Sequence, residues 1–245
     1  MIKKAIIPAA GNGTRVGEIT KLIPKELLPL NGEFALTHVI KELNEAGIEE
    51  ILLVTNQEKI ELIKKYVKIK DSNLKIIVQK KPNGMTGAVL AGDKFIDSDD
   101  FLLYLPDDFI YGENPTKNML KKFRGNPMVS LVEVEENEVE KYGIAEIRNK
   151  KIEEIKEKPK LSETNSRKAI FGRFIITQDL YKLLHPENNL TGTGLSGAFN
   201  TYLIKEKTID YIELDKDKRL DIGSYKGLIE ANNAFLKINQ KLPKK

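Results

Sequence analysis

Near the N-terminus the sequence reads Ile6-Ile7-Pro8-Ala9-Ala10-Gly11-Asn12-Gly13-Thr14-Arg15. The run over residues 3–8 predicts a short buried strand, and Gly11 and Gly13 let the chain turn immediately after it. A turn of this kind points backbone N–H groups into one concave surface, a geometry that binds anions. The stretch therefore predicts an anion-binding loop at the end of the first strand.

Two cations accompany this loop. Arg15 ends it, and Lys25 follows in the run Ile23-Pro24-Lys25-Glu26-Leu27-Leu28-Pro29-Leu30. A guanidinium can hold phosphate oxygens in pairs, whereas a lysine ammonium adds a mobile point charge. Together with the loop they predict a polyphosphate site. The alternative interpretation is a strand-to-helix turn that carries solvated basic residues.

The spacing excludes two well-known phosphate-binding loops. A dinucleotide-binding fingerprint needs glycines at positions 11, 13 and 16, but Val16 stands at the third position. The next predicted strand ends in Thr55-Asn56, which offers no acidic side chain to a ribose. A P-loop needs Gly-Lys-Ser/Thr at its end, where this chain reads Gly17-Glu18-Ile19.

The composition excludes several further classes. The 245 residues include no cysteine, which rules out disulfides, zinc thiolate sites and a cysteine nucleophile. The two histidines, His38 and His185, are interpreted as structural or surface residues. The net charge of +4, without a basic stripe, argues against nucleic acid as a partner. Because the sequence lacks a signal-peptide pattern and an apolar run of roughly 18 residues, we expect a cytoplasmic protein without a membrane partner.

Short apolar runs alternate with helical patterns in the first half of the chain. Strands are predicted over 5–8, 51–54, 74–78 and 101–105, and helical faces over 36–43 and 60–67. This alternation predicts an α/β fold with a Rossmann-like, mainly parallel mixed sheet flanked by helices. Ligands are then expected outside the carboxyl ends of the strands.

The second half of the chain has a different pattern. Residues 144–147 and 152–155 flank a polar turn and predict a β-hairpin, and a further strand is predicted over 169–176. We expect this half to complete the same sheet. A helix is predicted over 224–235, and a solvated basic tail over 241–245.

In the order in which its motifs occur, the chain resembles the sugar-1-phosphate nucleotidyltransferases, the nucleotide-sugar pyrophosphorylases. Pro24-Lys25-Glu26 resembles most closely the branch of UTP:glucose-1-phosphate uridylyltransferases, since related thymidylyltransferases usually carry Ser-Lys-Gln there. The other matching motifs are Gly11-x-Gly13-Thr14-Arg15, Gln79, Gly84, Leu105-Pro106-Asp107, Tyr142-Gly143, Glu157-Lys158-Pro159-Lys160, Gly172-Arg173-Phe174 and Asp221-Ile222-Gly223.

The resemblance implies transfer of a nucleotidyl group from a nucleoside triphosphate, UTP in this branch, to a sugar 1-phosphate, glucose 1-phosphate in this branch. Two polyanions must meet, so the site has to supply positive charge and alignment rather than a nucleophile. By resemblance, Arg15 and Lys25 would neutralise the triphosphate and Lys158 would hold the sugar phosphate. These three residues are the predicted catalytic set.

The reaction calls for Mg²⁺, which prefers oxygen ligands and binds through one or two carboxylates together with substrate phosphates. The predicted ligands are Asp107, which follows a buried strand, and Asp221. Asp107 could instead cap the next segment, and Asp108 could be the ligand in its place. Asp221 could belong to an ordinary Asp-x-Gly turn.

The resemblance also assigns binding residues. The predicted nucleotide-binding residues are Ala10, Gly11, Gly13, Thr14, Glu26, Gln79 and Gly84. Of these, Gln79 could instead be an exposed strand end, and Glu26, which is expected to face the base, could instead be a solvated charge. The predicted sugar-binding residues are Gly143, Glu157 and Gly172. A solvated hairpin face is the alternative for the charged run over 150–160.

One stretch departs from the family pattern. Uridylyltransferases carry Glu-Ile-Gln-Leu-Thr-Asp where this chain reads Gly192-Thr193-Gly194-Leu195-Ser196-Gly197. Glycine replaces three polar side chains, which predicts a flexible loop and a looser preference among hexose 1-phosphates.

We expect a single domain over 1–245, with a nucleotide-binding half (1–135), a sugar-binding half (136–223) and a C-terminal helix with its tail (224–245). The resemblance further implies a homo-oligomer. The open alternatives for function are a dTTP-dependent thymidylyltransferase and a non-catalytic sugar-nucleotide-binding subunit.

Overall fold

The computed structural model describes residues 1–67, 73–80, 83–185 and 194–241. Within these residues a nine-stranded mixed sheet lies between two layers of helices. The strands are β1 Lys4–Pro8, β2 Pro29–Leu30, β3 Glu33–Phe34, β4 Glu50–Thr55, β5 Asn73–Val78, β6 Phe101–Tyr104, β7 Asp108–Ile110, β8 Met128–Glu133, β9 Gly143–Arg148, β10 Lys151–Glu157, β11 Lys168–Ile176, β12 Asp210–Leu214 and β13 Arg219–Asp221. The α-helices are α1 Ala35–Glu45, α2 Ile60–Tyr66, α3 Gly84–Leu90, α4 Asp93–Ile96, α5 Pro115–Lys122, α6 Gln178–Tyr181, α7 Gly194–Ile204 and α8 Tyr225–Lys241.

The sheet combines a parallel half with an antiparallel half. Its main order is β10-β9-β11-β6-β1-β4-β5, and β8 and β12 continue from β11. Strands β6, β1, β4 and β5 run parallel, whereas β11 is antiparallel to β6, β8 and β9. The predicted α/β class and the contribution of the second half to the same sheet are confirmed.

Strand β1 forms the centre of the core because both of its faces are covered. Ala5, Ile6 and Ile7 are fully buried. Ile7 packs in a cluster with α1, whereas Ile6 faces the other layer, where α3 and α7 contribute apolar side chains. Alternation of side chains along a strand explains how three consecutive apolar residues serve two helix layers.

The hairpin of the second half is also confirmed. Strands β9 and β10 pair in antiparallel orientation around Asn149 and Lys150, which have φ angles of 51° and 62°. Two successive left-handed residues are the conformation that a tight two-residue hairpin turn requires. The predicted C-terminal helix is confirmed and extends further than expected, over Tyr225–Lys241.

The structure corrects the interpretation of the glycine-rich stretch. From Gly194 onward it is the first turn of helix α7, not a flexible loop. Leu195 and Phe199 are buried in the core, and this packing outweighs the poor helix propensity of glycine. Gly192 and Thr193 lie outside the described residues. Along the described part of the chain, no helix is both long and apolar enough to cross a membrane.

Candidate active site

Two adjoining cavities open at the edge where the parallel strands end. The smaller has a volume of about 360 Å³ and the larger about 640 Å³. They share Gly84, Met85, Leu105 and Asp107, so Asp107 lies at the junction. As expected for parallel strands, the segments that follow β1, β5 and β6 meet at this edge.

The smaller cavity brings together most of the residues predicted to bind the nucleotide. Ala10, Gly11, Lys25, Gln79 and Gly84 all line it. The Gln79 Nε2 atom donates to the Gly84 carbonyl at 3.2 Å, which fixes the amide at the mouth of the cavity. An amide held there is suited to pair with the edge of a base.

Gly13 and Thr14, also predicted to bind the nucleotide, line neither cavity. Gly13 has a φ of 67°, and a side chain on it would crowd Thr20 and the stem of Lys25. Thr14 begins a single 3₁₀ turn over Thr14–Val16. Both residues therefore shape the loop in this structure, and direct contact with the nucleotide stays a prediction.

A cluster of opposite charges lies where the two cavities meet. The Lys25 Nζ atom is 2.7 Å from the Asp107 Oδ2 atom. A Cβ built on Gly223 would lie 2.9 Å from Asp221 Oδ1 and 3.1 Å from both Arg15 Nη2 and Asp107 Oδ2. The structure thus brings both predicted loop cations and both predicted metal ligands to one point.

Burial alone would lower the pKa of Lys25, but the Asp107 and Glu26 carboxylates raise it above its ordinary value. Lys25 is therefore held as a cation at the junction. A fixed positive charge with little exposure to water interacts strongly with a polyphosphate.

Asp221 is oriented by two hydrogen bonds. Its Oδ1 accepts from the Gly223 N–H at 2.7 Å, and its Oδ2 accepts from the Tyr142 hydroxyl at 2.9 Å. Strand β13 pairs with β7, which places Asp221 opposite Asp108. Tyr142, which entered the sequence analysis only as part of a motif, lines the larger cavity, and its hydroxyl connects that wall with Asp221, a predicted metal ligand.

Asp108 adjoins both predicted ligands, since it follows Asp107 in the chain and lies opposite Asp221 in the β7–β13 pair. Burial raises the pKa of Asp108 well above its ordinary value, and the charges of Asp107 and Asp221 add to the rise. The environment thus favours the neutral form of this carboxyl group. The sequence left both aspartates open as ligands. Asp107 is the more exposed of the two and lines both cavities, whereas Asp108 lines only the larger one.

A buried ion pair supports the Asp108 strand from below. Arg173 is fully buried, lies 2.6 Å from Glu42, and donates from Nη1 to the Asp108 carbonyl at 2.8 Å. The neighbouring Gly172 has a φ of 70°, and a Cβ on it would come within 2.6 Å of the Asp108 side chain. Gly172, predicted to contact the hexose, lines neither cavity and instead permits this close approach.

The other predicted sugar residues lie on the wall of the larger cavity. Gly143 and Glu157 both line it, and a side chain on Gly143 would come within 3.3 Å of Glu157 Oε2. The Ser196 hydroxyl of α7 donates to the same oxygen at 2.7 Å. Helix α7 therefore holds the carboxylate that sugar recognition is predicted to use. Sequence reasoning missed Ser196 because it read this stretch as a loop.

Lys158 is exposed and lines neither cavity. It has a φ of 47°, and its N–H donates to the Tyr142 carbonyl at 3.1 Å. The side chain forms no ion pair within the described part of the chain. Its contact with a sugar phosphate stays a prediction.

Glu26 is only 1% exposed, so the alternative of a solvated charge is wrong. Its Oε2 lies 3.3 Å from the Lys59 Nζ atom, and its Oε1 is buried without a hydrogen-bond partner in the structure. Burial raises the pKa of Glu26 above its ordinary value, against the opposing effect of Lys59 and Lys25. Glu26 lies beneath the loop and lines neither cavity, and its predicted contact with the base stays a prediction.

The donor set at the junction fits Mg²⁺. Asp107 and Asp221 supply carboxylate oxygens, the ligands that this ion prefers. Within the described ranges no group of three or more His, Cys, Asp or Glu side chains could hold a metal ion unaided. Such a site suits an ion that completes its shell with water and substrate phosphates.

The sequence profile described as nucleotidyl transferase matches residues 4–238. A UTP–glucose-1-phosphate uridylyltransferase of Bacillus subtilis is 30% identical over 267 residues, which cover 96% of this chain and 91% of that protein. UTP–glucose-1-phosphate uridylyltransferase 2 of Staphylococcus saprophyticus is 32% identical over 222 residues, covering 78% of this chain and 77% of the relative. A solved structure of a UDP-glucose pyrophosphorylase complexed with UDP-glucose superposes with a TM-score of 0.86 at 30% identity, covering 97% of this chain and 100% of that one. With the profile spanning nearly the whole chain and the site arranged as described, the protein belongs to the nucleotidyl transferase family.

Proposed function

We propose that the protein transfers a uridylyl group from UTP to glucose 1-phosphate with the help of Mg²⁺, giving UDP-glucose and pyrophosphate. The observation that carries this proposal is the meeting of Arg15, Lys25, Asp107 and Asp221 at the junction of the two cavities. The names of the relatives support the choice of UTP and glucose 1-phosphate.

In this reaction an oxygen of the sugar phosphate attacks the α-phosphorus of the triphosphate. The bond between the α-phosphorus and the bridging oxygen breaks, and pyrophosphate leaves with the electron pair. Lys25 and Arg15 stabilise the charge that develops on the phosphates, while the two cavities align the reactants. Mg²⁺ bound by Asp107 and Asp221 would neutralise phosphate charge and orient the phosphate oxygens.

A pyrophosphate-release assay tests the proposal. UTP and dTTP are each combined with the 1-phosphates of glucose, galactose and N-acetylglucosamine. We expect the highest kcat/KM for UTP with glucose 1-phosphate. A higher value with dTTP would favour a thymidylyltransferase. Binding of UDP-glucose without turnover of any pair would favour a non-catalytic subunit.

Lys158 is expected to hold the sugar phosphate. Lys158→Ala should therefore raise KM for glucose 1-phosphate far more than KM for UTP, because only one substrate loses a cation. Lys151→Ala, which removes an exposed lysine at the start of β10, is the matched control. If both KM values rise equally, Lys158 serves the nucleotide as well and this assignment is wrong.

Ser196 is expected to tune sugar recognition through Glu157. Ser196→Ala should raise KM for glucose 1-phosphate about 10-fold, since a hydrogen bond to a charged group contributes about 1.5–3 kcal/mol. Ser196→Thr keeps the hydroxyl and is expected to stay within a few-fold of the parent. Equal KM values for all three proteins would show that Glu157 needs no support from α7.

We also propose that the chain is a single domain with the three parts given above and that it forms a homo-oligomer. Helix α8 supports a subunit contact because Tyr225 and Ile229, one helical turn apart, are 63% and 44% exposed. Light scattering on the purified protein would establish the oligomeric state. The cytoplasmic location stays a prediction from the sequence.

A further inference from the structure

Three successive main-chain carbonyl groups of the glycine loop accept hydrogen bonds from the side chains of Asn56 and Lys59, which lie between β4 and α2. The Asn56 Nδ2 atom donates to the Ala10 carbonyl at 3.1 Å. The Lys59 ammonium donates to the Ala9 carbonyl at 3.3 Å and also to the Gly11 carbonyl. Lys59 is only 6% exposed, which is rare for a lysine and indicates a specific role.

The parallel pairing of β1 with β4 brings these groups together. Pro8 lies opposite Val54, and the Ala9 N–H donates to the Val54 carbonyl at 2.7 Å. Just beyond β4, the Asn56 Oδ1 atom accepts from the Lys59 N–H at 3.0 Å. Asn56 therefore fixes both the loop and the backbone of Lys59.

Holding the carbonyls determines where the N–H groups point. In a planar trans peptide, the carbonyl of one residue and the N–H of the next point in opposite directions. With the carbonyls of 9, 10 and 11 directed toward Lys59 and Asn56, the N–H groups of Ala10, Gly11 and Asn12 point the other way. These three residues line the smaller cavity, and no described residue accepts a hydrogen bond from their N–H groups.

We propose that Lys59, together with Asn56, is a positioning residue that orients the N–H donors of the glycine loop toward the bound nucleoside triphosphate. The inference rests on the proposed function, because it takes the smaller cavity as the nucleotide site. Glu26 balances the buried charge of Lys59 at 3.3 Å. The rival interpretation is that Lys59 serves only to neutralise Glu26, and the contacts with the loop have no effect on binding.

A double-mutant cycle separates the role of Lys59 in orienting the loop from its role in neutralising Glu26. Affinity for UTP is measured by calorimetry for Lys59→Met, Glu26→Gln and the double variant, with thermal unfolding recorded in parallel. In the double variant both buried charges are gone but the loop carbonyls still lack their donor. We expect Lys59→Met to weaken UTP binding about 10-fold or more in both backgrounds. This is the size of the loss in affinity seen when a residue that orients the ligands of a bound metal ion is replaced.

The unfolding temperature serves as the second measurement, and the double variant is expected to recover stability relative to Lys59→Met without recovering affinity. Lys64→Met is the matched control, because Lys64 lies on α2, the helix that begins directly after Lys59, and its side chain is 54% exposed. It should bind UTP like the parent. If Lys59→Met has no effect on UTP affinity in the Glu26→Gln background, the positioning role is wrong.

Asn56→Ala keeps the Lys59–Glu26 pair and provides a test that does not depend on the folding of the Lys59 variants. It should weaken UTP binding several-fold, and unchanged affinity would contradict the proposal. If the parent protein itself binds no nucleoside triphosphate, the proposed function fails with the inference. A parent that binds UTP, with variants that bind it equally well, overturns the inference alone.

Discussion

Lys25→Met is expected to lower kcat/KM by roughly 10²–10³-fold, the usual scale for the loss of one charge-stabilising donor. Lys25 is the cation nearest Asp107, and its surroundings hold it in the charged form. Methionine keeps most of the length and apolar character of the stem, so the change removes mainly the charge. Turnover is measured by pyrophosphate release at saturating Mg²⁺.

Lys21→Met is the control for Lys25→Met. Lys21 belongs to the same segment, but its side chain is 72% exposed and its partner is Glu18. This variant changes the net charge equally and should retain parental turnover. If Lys25→Met also retains it, the charge at the junction has no part in the reaction.

Replacing the carboxylates at the junction is expected to change the metal requirement. Asp107→Asn and Asp221→Asn should each raise the Mg²⁺ concentration for half-maximal activity and lower kcat/KM by roughly 10²-fold, because an amide is a poorer ligand. The effect should be larger at Asp107, which also loses its pair with Lys25. The measurement is a Mg²⁺ titration of the initial rate.

Asp97→Asn is a suitable control for the carboxylate variants, because Asp97 has a φ of 45° that asparagine adopts readily and lies apart from both cavities. Thermal unfolding separates a loss of ligands from a loss of the fold. If both variants keep the parental Mg²⁺ requirement, Asp107 and Asp221 are turn or capping residues rather than ligands.

Strands β1, β4 and β6 could be predicted because each is a short apolar run buried on both faces, and β5, an edge strand that is only partly buried, could be predicted from its apolar residues over 74–78. Strands β7 and β13 were not predicted, since segments of three residues carry too little pattern. Strands β8 and β12 were also missed, although β8 contains the buried run Met128-Val129-Ser130-Leu131-Val132. The start of helix α7 was not predicted, because the poor helix propensity of its glycines favours a loop. The burial of Leu195 and Phe199, which stabilises the helix, is visible only in the folded structure.

The order of the motifs predicted that the segments of Arg15, Lys25, Asp107 and Asp221 meet, and the structure brings these side chains together. That order did not predict their contacts, and the predicted site residues Gly13, Thr14, Glu26, Lys158 and Gly172 line neither cavity. Asn56 was noted only as the end of a strand that offers no acid, and Lys59 was not singled out. Both bind main-chain carbonyls, and a contact with the backbone places no requirement on the residue type of its partner. Ser196 was hidden for a different reason, since its contact with Glu157 exists only because the stretch is helical.

The contact between α7 and β10 has a consequence for association. Strand β10 is an edge strand of the sheet, and an exposed edge strand can pair with a strand from another chain. The Asn200 side chain accepts from the Ile155 N–H and donates to the Ile155 carbonyl, both at 2.8 Å. Near the middle of β10 the two main-chain groups that an incoming strand would need are already occupied. We therefore expect copies of this chain to meet through side-chain surfaces such as α8, and not by extending the sheet past β10.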